Sequence, residues 1–313
     1  MVNIQMISEL SHRIMSEMEK RIIGNATNME LLLVTIFSKG HVLLEGVPGI
    51  AKSYLAASIS EVLGLDHKRI QFTPDLMPAD ITGSSIYNPK DQLFKFIEGP
   101  IFTNILLCDE ISRAPPKTQA ALLEAMAEGQ VSSEGKTRVL QAPFFVMATQ
   151  NPIEQVGVYP LPEAQLDRFM IRLILTLPTY EEELMILKSK RETLVPNVQA
   201  VTSIKEIIQA QEVIQEVEIS DQVLSYIARL VVATRYSPAL ALGGSPRASI
   251  ALMSMARARA AINGRGYVEP DDIKVLFYYV MNHRVILTPQ AEVDQIPVEQ
   301  IIESVIEQVP VTL

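Results

Sequence analysis

A buried-strand pattern at His41-Val42-Leu43-Leu44-Glu45 runs directly into Gly46-Val47-Pro48-Gly49-Ile50-Ala51-Lys52-Ser53, and Ala51 to Leu63 has helical spacing closed by Gly64. A strand, a glycine-bearing loop and a helix in immediate succession form the context of a phosphate-binding loop. Backbone N–H groups in such a loop converge on phosphate oxygens at the positive end of the helix. In that reading Lys52 reaches the β- and γ-phosphates and Ser53 ligates Mg²⁺. Ala51 departs from the usual glycine before the lysine. Alanine fits if that position is already right-handed helical, since glycine is required only for positive φ or close approach. The competing reading is an ordinary Gly/Pro turn with an exposed lysine.

Further apolar runs follow. Residues 69–72 read as a short strand, Asn104 to Asp109 as a core strand, and Phe144 to Thr149 and Ile171 to Leu175 as two more. Pro115 to Glu128 reads as a helix with proline at its start and Gly129 just past its end. Strands alternating with helices predict an α/β layer around a parallel sheet. The alternating patch Leu93-Phe94-Lys95-Phe96 predicts an inserted hairpin near 83–98, and Glu134-Gly135 a second one near 130–141.

Two strand ends carry chemistry. Ile105-Leu106-Leu107-Cys108 closes on Asp109-Glu110, 57 residues after Lys52. At the carboxyl edge of a parallel sheet these acids lie beside the phosphate loop. Asp109 is expected to hold the magnesium shell and Glu110 to activate the attacking water. The next strand ends in Thr149-Gln150-Asn151-Pro152, where Asn151 could bond the γ-phosphate or that water, or could simply be a turn asparagine before proline.

After Pro178 helices follow one another and strand-like runs stop. Thr179-Tyr180-Glu181-Glu182 and Ser203-Ile204-Lys205-Glu206 both fit a capping box, Ser245-Pro246 opens a helix that Gly264 ends, and Pro270-Asp271-Asp272 opens another. The expected division is an α/β core over 1–190 and a small all-helical lid over 191–313, with Pro196-Asn197 as a linker. Two arginines stand out. Arg168 lies between a short helix and the next strand, where it could reach a neighbouring subunit and stabilise a transferring phosphoryl group, or could form a surface ion pair with Asp167 or Glu163. Arg247 is the second residue of its helix, an unfavourable end for a cation. It could fold back to a nucleotide, or remain a solvated helix-start arginine. Arg113, just after the acidic pair, has no role assignable from sequence.

The 313 residues carry 27 Lys+Arg against 36 Asp+Glu, a net charge of −9, and the first 190 residues and the remainder are each acidic. That argues against DNA as the main partner. The single cysteine, Cys108, excludes a disulfide scaffold within the chain, and His12, His41, His67 and His283 lack metal-ligand spacing. No apolar run reaches the roughly 18–20 residues of a membrane span, and Met1 to Arg21 is too charged for a signal peptide. A cytoplasmic protein is expected.

Taken in order, these elements resemble an AAA+ ATPase. More narrowly, GVPGIAKS at 46–53, CDEISRAPPKTQAALLEAMAEGQV at 108–131, ATQNPIEQVGVYPLPEAQLDRF at 148–169 and GGSPRA at 243–248 are similar to the MoxR family, with the likeness spanning roughly residues 20 to 285. The resemblance implies a P-loop NTPase core with a parallel sheet, a helical lid and two inserted hairpins. It gives Lys52 and Ser53 the Walker A roles, Asp109 and Glu110 the Walker B roles, Asn151 that of sensor 1, Arg168 that of the arginine finger and Arg247 that of sensor 2. It implies contacts to ATP from Ile22, Ile23, Gly46, Val47, Pro48, Gly49, Ile50, Ala51, Lys52, Ser53 and Tyr54, with Arg21 to Asn25 beside the adenine. Asn25 stands where the family more often has glutamine. The family tolerates alanine before the Walker lysine. Its members form homo-oligomeric rings, mostly hexamers, and act on protein partners in a chaperone-like way, often ones with von Willebrand factor A domains.

Residues 285–313 match no motif. Val298, Ile301, Ile302, Val305, Ile306 and Val309 form an apolar stripe with Glu299, Glu303 and Glu307 on another face. This is either a last helix docked on the lid or a partner-docking helix. For the whole chain the first reading is an ATPase that remodels protein partners. The alternatives are a magnesium-chelatase-like motor subunit, a nucleotide-gated scaffold with little turnover, and a motor on DNA.

Overall fold

The computed structural model describes residues 4–47, 49, 52–90, 92–133, 135–152, 157–191 and 197–311. Two helices open the chain, α1 (Ile4–Glu19) and α2 (Ala26–Phe37). They lead into β1 (Val42–Glu45), α3 (Lys52–Leu63) and β2 (His67–Gln71). A short helix, α4 (Pro78–Thr82), then introduces the hairpin β3 (Gly83–Asn88) and β4 (Leu93–Glu98). The acidic strand is β5 (Ile105–Asp109), followed by α5 (Pro116–Glu128) and a second hairpin, β6 (Gln130–Ser133) and β7 (Lys136–Val139). Next come β8 (Phe145–Gln150), the short α6 (Glu163–Leu166), β9 (Ile171–Ile174) and α7 (Tyr180–Arg191).

Both expected hairpins are present, whereas Glu134 of one turn and Pro196 of the expected linker lie outside the described residues. α5 ends as its sequence suggests: Gly129 adopts φ 63° and donates its N–H to the Ala125 carbonyl, a left-handed cap that suits glycine.

The central sheet is fully parallel, in the order β2-β5-β8-β1-β9. Alternation along each strand splits the core in two. Ile105, Leu107, Phe145, Met147, Val42 and Leu44 pack with the helices α1, α2 and α3 on one face. Leu106, Cys108, Val146, Ala148 and Leu43 pack with Phe72, Ile81, Leu122 and Leu123 on the other. With both faces covered, β5 is buried over its whole length, which is why it reads as an unbroken apolar run.

The lid holds α8 (Ile204–Gln215), α9 (Asp221–Arg235), β10 (Leu240–Leu242), α10 (Pro246–Ile262), α11 (Pro270–Met281), β11 (Ile286–Leu287), α12 (Pro289–Val293) and α13 (Val298–Gln308). It is helical apart from the two-stranded antiparallel ribbon β10–β11, an addition to the expected run of helices. Thr179 and Glu182 cap each other reciprocally. Ser203 accepts from the Glu206 N–H, but its hydroxyl donates to the Glu206 carboxylate, so only half of that expected box forms.

α10 is the hub of this region. Ala248, Ala251, Ala256, Ala258, Ala260 and Ala261 are buried along it, and these small side chains let α1, α2, α9 and α11 close around it. The last helix is docked: Ile301, Ile302 and Val305 are buried, and α13 lies against α9 and α11. Among the described residues no helix is long and apolar enough to cross a membrane.

Candidate active site

Parallel register brings the strand ends to one edge. Gln71 pairs with Asp109, Cys108 with Ala148, and Glu45 with Gln150, so the loop after β1, the acidic pair after β5 and Asn151 after β8 share that edge. The chain leaves β1 for β2 at the far side of the sheet and returns to fill β5 and β8 between them, which opens a crevice where connections diverge.

In the loop, Gly49 has φ +90°, a conformation that L side chains rarely adopt. Pro48, Ile50 and Ala51 lie outside the described residues, so the tolerance expected for Ala51 is not addressed. Lys52 opens α3, and its Nζ donates to the Gly46 carbonyl at 2.8 Å. Ser53 follows in the first turn, and its Oγ donates to Asp109 Oδ2 at 3.3 Å.

Asp109 is the junction of the network. Only 7 % of its surface is exposed. Oδ2 also accepts from Arg69 Nε at 2.6 Å, and Oδ1 accepts from Thr149 Oγ1 at 3.2 Å. Glu110 turns the chain with φ 58° and ψ 52°, an uncommon conformation for a residue with a Cβ. Its N–H donates to Thr149 Oγ1 at 2.9 Å. Its carboxylate accepts from Gln71 Nε2 at 2.7 Å and pairs with Arg113 Nε at 3.0 Å. Asn151 is buried at the same edge.

The stretch expected beside the adenine comes to the start of α3. The Arg21 guanidinium lies 5.8 Å from the Tyr54 ring centroid and forms an ion pair with Glu61. Ile22 and Ile23 are half-buried there. A Cβ on Gly24 would strike the Glu182 side chain, so this loop closes against α7.

Arg168 and Arg247 lie away from that edge: Met170, two residues after Arg168, donates its N–H to the His41 carbonyl just before β1, and Ser245, two residues before Arg247, bonds Asp167, so both stand at the amino end of the sheet. Arg168 pairs with neither Asp167 nor Glu163 as the surface reading supposed. It is half-buried, and its Nη1 donates to the Leu123 carbonyl of α5 at 2.6 Å. Arg247 is exposed in the first turn of α10, whose N-cap Ser245 accepts from the Arg247 N–H. Ser245 Oγ in turn donates to Asp167 Oδ2 at 2.8 Å. Burial lowers the Arg284 pKa from its usual value, while its bond to the adjoining Asp167 opposes the shift.

Sequence reading missed Arg69, Gln71 and Thr149 and left Arg113 without a role. The short strand expected over 69–72 is β2, at 67–71, but as an edge strand with only Ile70 buried it carries no sign that it pairs with β5. Thr149 was the visible clue, a hydroxyl at the end of an apolar strand two residues before Asn151.

The donor set fits a hard cation. A serine hydroxyl and a buried carboxylate oxygen converge within 3.3 Å. Mg²⁺ is typically held by one or two such oxygens plus substrate phosphates and water. Among the described residues no group of three or more His, Cys, Asp or Glu could hold a metal by itself.

Residues 41–171 match the family model for the ATPase family associated with various cellular activities (AAA), and residues 232–305 match that for the AAA lid domain. The chain is 46% identical over 290 residues to the uncharacterized protein YeaC of Bacillus subtilis, covering 92% of this chain and 91% of the relative. It is 42% identical over 306 residues to Chaperone MoxR1 of Mycobacterium tuberculosis, covering 95% and 81%. A crystal structure from Cytophaga hutchinsonii, of a protein provisionally assigned as an ATPase, superposes with a TM-score of 0.92 at 40% identity over 99% of this chain and 98% of that one. A parallel sheet with a phosphate loop and acidic pair at one edge, a helical lid, and relatives of these names together show that the chain belongs to the MoxR family of AAA+ ATPases.

Proposed function

We propose that the protein binds Mg²⁺·ATP at the edge formed by β1, β5 and β8 and hydrolyses it to ADP and phosphate. The observation that carries this is the approach of Ser53 Oγ to Asp109, with Glu110 fixed beside it by Gln71, Arg113 and Thr149. Ser53 and Asp109 would hold Mg²⁺, which would offset the charge on the phosphates. Lys52 exchanges its bond to the Gly46 carbonyl for the β- and γ-phosphates. Glu110 accepts a proton from the water that attacks the γ-phosphorus, and the bond from that phosphorus to the bridging oxygen of ADP breaks. Asn151 orients the water or a γ-phosphate oxygen. Ile22, Ile23 and Tyr54 flank the base.

In this reading residues 1–190 form the core and 191–313 the lid, subunits assemble as a hexameric ring, Arg168 serves the site of the adjoining subunit, and Arg247 senses a bound nucleotide. Turnover remodels protein clients, among which proteins with von Willebrand factor A domains are the first to test.

The test is a set of three variants assayed for nucleotide binding and phosphate release. Lys52→Ala loses binding, Glu110→Gln binds ATP and releases little phosphate, and Arg168→Ala binds normally and hydrolyses poorly. Wild-type phosphate release from Glu110→Gln would overturn the reading. Proteins that co-purify with Glu110→Gln identify the client.

A further inference from the structure

The turn that carries Arg168 is gripped from the lid. Arg284, which follows α11, has 3 % of its side chain exposed. All five of its guanidinium N–H groups are accounted for. Nε donates to Asp167 Oδ1 at 2.7 Å. One terminal nitrogen bonds the carbonyls of Met170 (3.0 Å) and Val280. The other bonds the carbonyls of Asp167 (3.3 Å) and Phe169 (2.7 Å). Beside it, His283 Nε2 meets the Phe169 carbonyl at 3.0 Å, and Asn282 Nδ2 donates to the Arg172 carbonyl at 3.1 Å.

The backbone on both sides of Arg168 is therefore tied to one buried cation of the lid, a fork that a lysine could not reproduce. The second oxygen of Asp167 takes the Ser245 hydroxyl at 2.8 Å, and Ser245 is the N-cap of the helix whose first turn bears Arg247. A half-open pocket of about 190 Å³ lies alongside, lined by Glu163, Asp167, Ser245 and Arg284 among others.

We infer that Asp167, Ser245 and Arg284 form a latch through which the lid of one subunit sets the position of that subunit's Arg168, and so controls hydrolysis in the neighbouring subunit. The inference rests on the reading of Arg168 as a residue acting in trans. Asp167 touches no nucleotide in this scheme; it is a positioning residue. A lid that shifts carries Ser245 and Arg284 with it, hence Asp167 and the backbone of the finger, whose guanidinium rests on the Leu123 carbonyl at 2.6 Å. A misplacement of about 1 Å at a catalytic group can cost on the order of 100-fold in rate.

The test uses full-length mixed assemblies. Lys52→Ala subunits have no working site and an intact finger, and Arg168→Ala subunits have the reverse. Mixing them restores turnover at interfaces where a Lys52→Ala subunit donates Arg168. Adding Ser245→Ala to the donor subunits should lower that restored kcat about 10- to 100-fold with KM for ATP unchanged. The same change in the acceptor subunits, whose finger is already gone, should lower it by less than about 3-fold. Ser245→Thr in the donors, which keeps the hydroxyl, should restore the rate.

Arg284→Gln should repeat the pattern wherever thermal melting shows it folded. Equal losses from donor and acceptor lesions, or no loss from Ser245→Ala in the donors, would overturn the latch while leaving the trans finger intact. No restored turnover in the parent mixture would overturn the trans finger and the latch with it.

Discussion

Glu110, the carboxylate proposed to activate water, holds a left-handed backbone, φ 58° and ψ 52°. An L residue in that region costs roughly 1–2 kcal/mol relative to its preferred conformations. Glycine avoids that cost but loses about 0.5–1 kcal/mol more backbone entropy on folding. Glu110→Gly and Glu110→Ala both remove the contacts to Gln71 and Arg113, so their difference isolates the backbone term. The two estimates leave Glu110→Gly more stable than Glu110→Ala by about 0.5–1 kcal/mol. At an exposed helical position such as Glu124 of α5 the order reverses, with glycine about 1 kcal/mol worse. Urea unfolding of the four variants, followed by far-UV circular dichroism without nucleotide, measures both differences. Both Glu110 variants should have lost hydrolysis. A Glu110→Ala protein more stable than Glu110→Gly by 0.5 kcal/mol or more would refute the view that the site stores strain here.

Thr149→Val removes the donor to Asp109 and the acceptor for the Glu110 N–H, and should cost about 1–3 kcal/mol in stability. It should also lower kcat more than tenfold, while Thr149→Ser stays near wild type. His41 is buried, and desolvation lowers its pKa to about 4 although its bond to the Met126 carbonyl opposes the shift. The unfolded chain takes up this proton near pH 6.5 and the folded one does not, so the stability is complete above 6.5 and drains away as the pH falls toward 4. Over those 2.5 pH units, at about 1.4 kcal/mol each, roughly 3 kcal/mol disappears. His41→Gln should flatten the dependence of urea midpoints between pH 7.5 and 5, and an unchanged slope would exclude His41 as its cause. In α13, Ile302→Ala should cost about 2–5 kcal/mol because Ile302 is buried against the lid, whereas Glu303→Ala on the exposed face should change stability by less than about 0.5 kcal/mol. A thermal melt showing equal effects would undo the docked assignment.

Much of the core was legible because buried parallel strands are continuous apolar runs and their ends are polar. Val42 to Glu45, Ile105 to Asp109 and Phe145 to Gln150 announce both themselves and the groups they deliver. The hairpins showed through alternation and turn residues. The five-residue α4 and the two- and three-residue strands of β10–β11 are too short to carry a period, so the sequence gives no sign of them. Sheet order is the larger gap. Arg69 and Gln71 become site residues only because β2 pairs with β5, and nothing local in His67-Lys68-Arg69-Ile70-Gln71 says so. Arg284 lies 117 residues from Asp167, and a pair that distant is visible only after the lid has docked.

These two gaps divide the chemistry. The group proposed to activate water is held by β2, β8 and the turn after β5, all at the carboxyl edge of the sheet. The group proposed to act on the neighbouring subunit sits on a turn whose carbonyls and carboxylate belong to the lid's hydrogen bonds. Under these proposals such a subunit keeps its own hydrolytic geometry constant while its contribution to the next site varies with lid position. In mixed rings, variants at Gln71 or Thr149 should therefore slow the sites of the subunits that carry them, whereas variants at Ser245 or Arg284 should slow the sites of the subunits next to them. A ring of identical subunits needs that separation if the state of one site is to govern the next, because a lid that disturbed both at once would silence its own site together with its neighbour's.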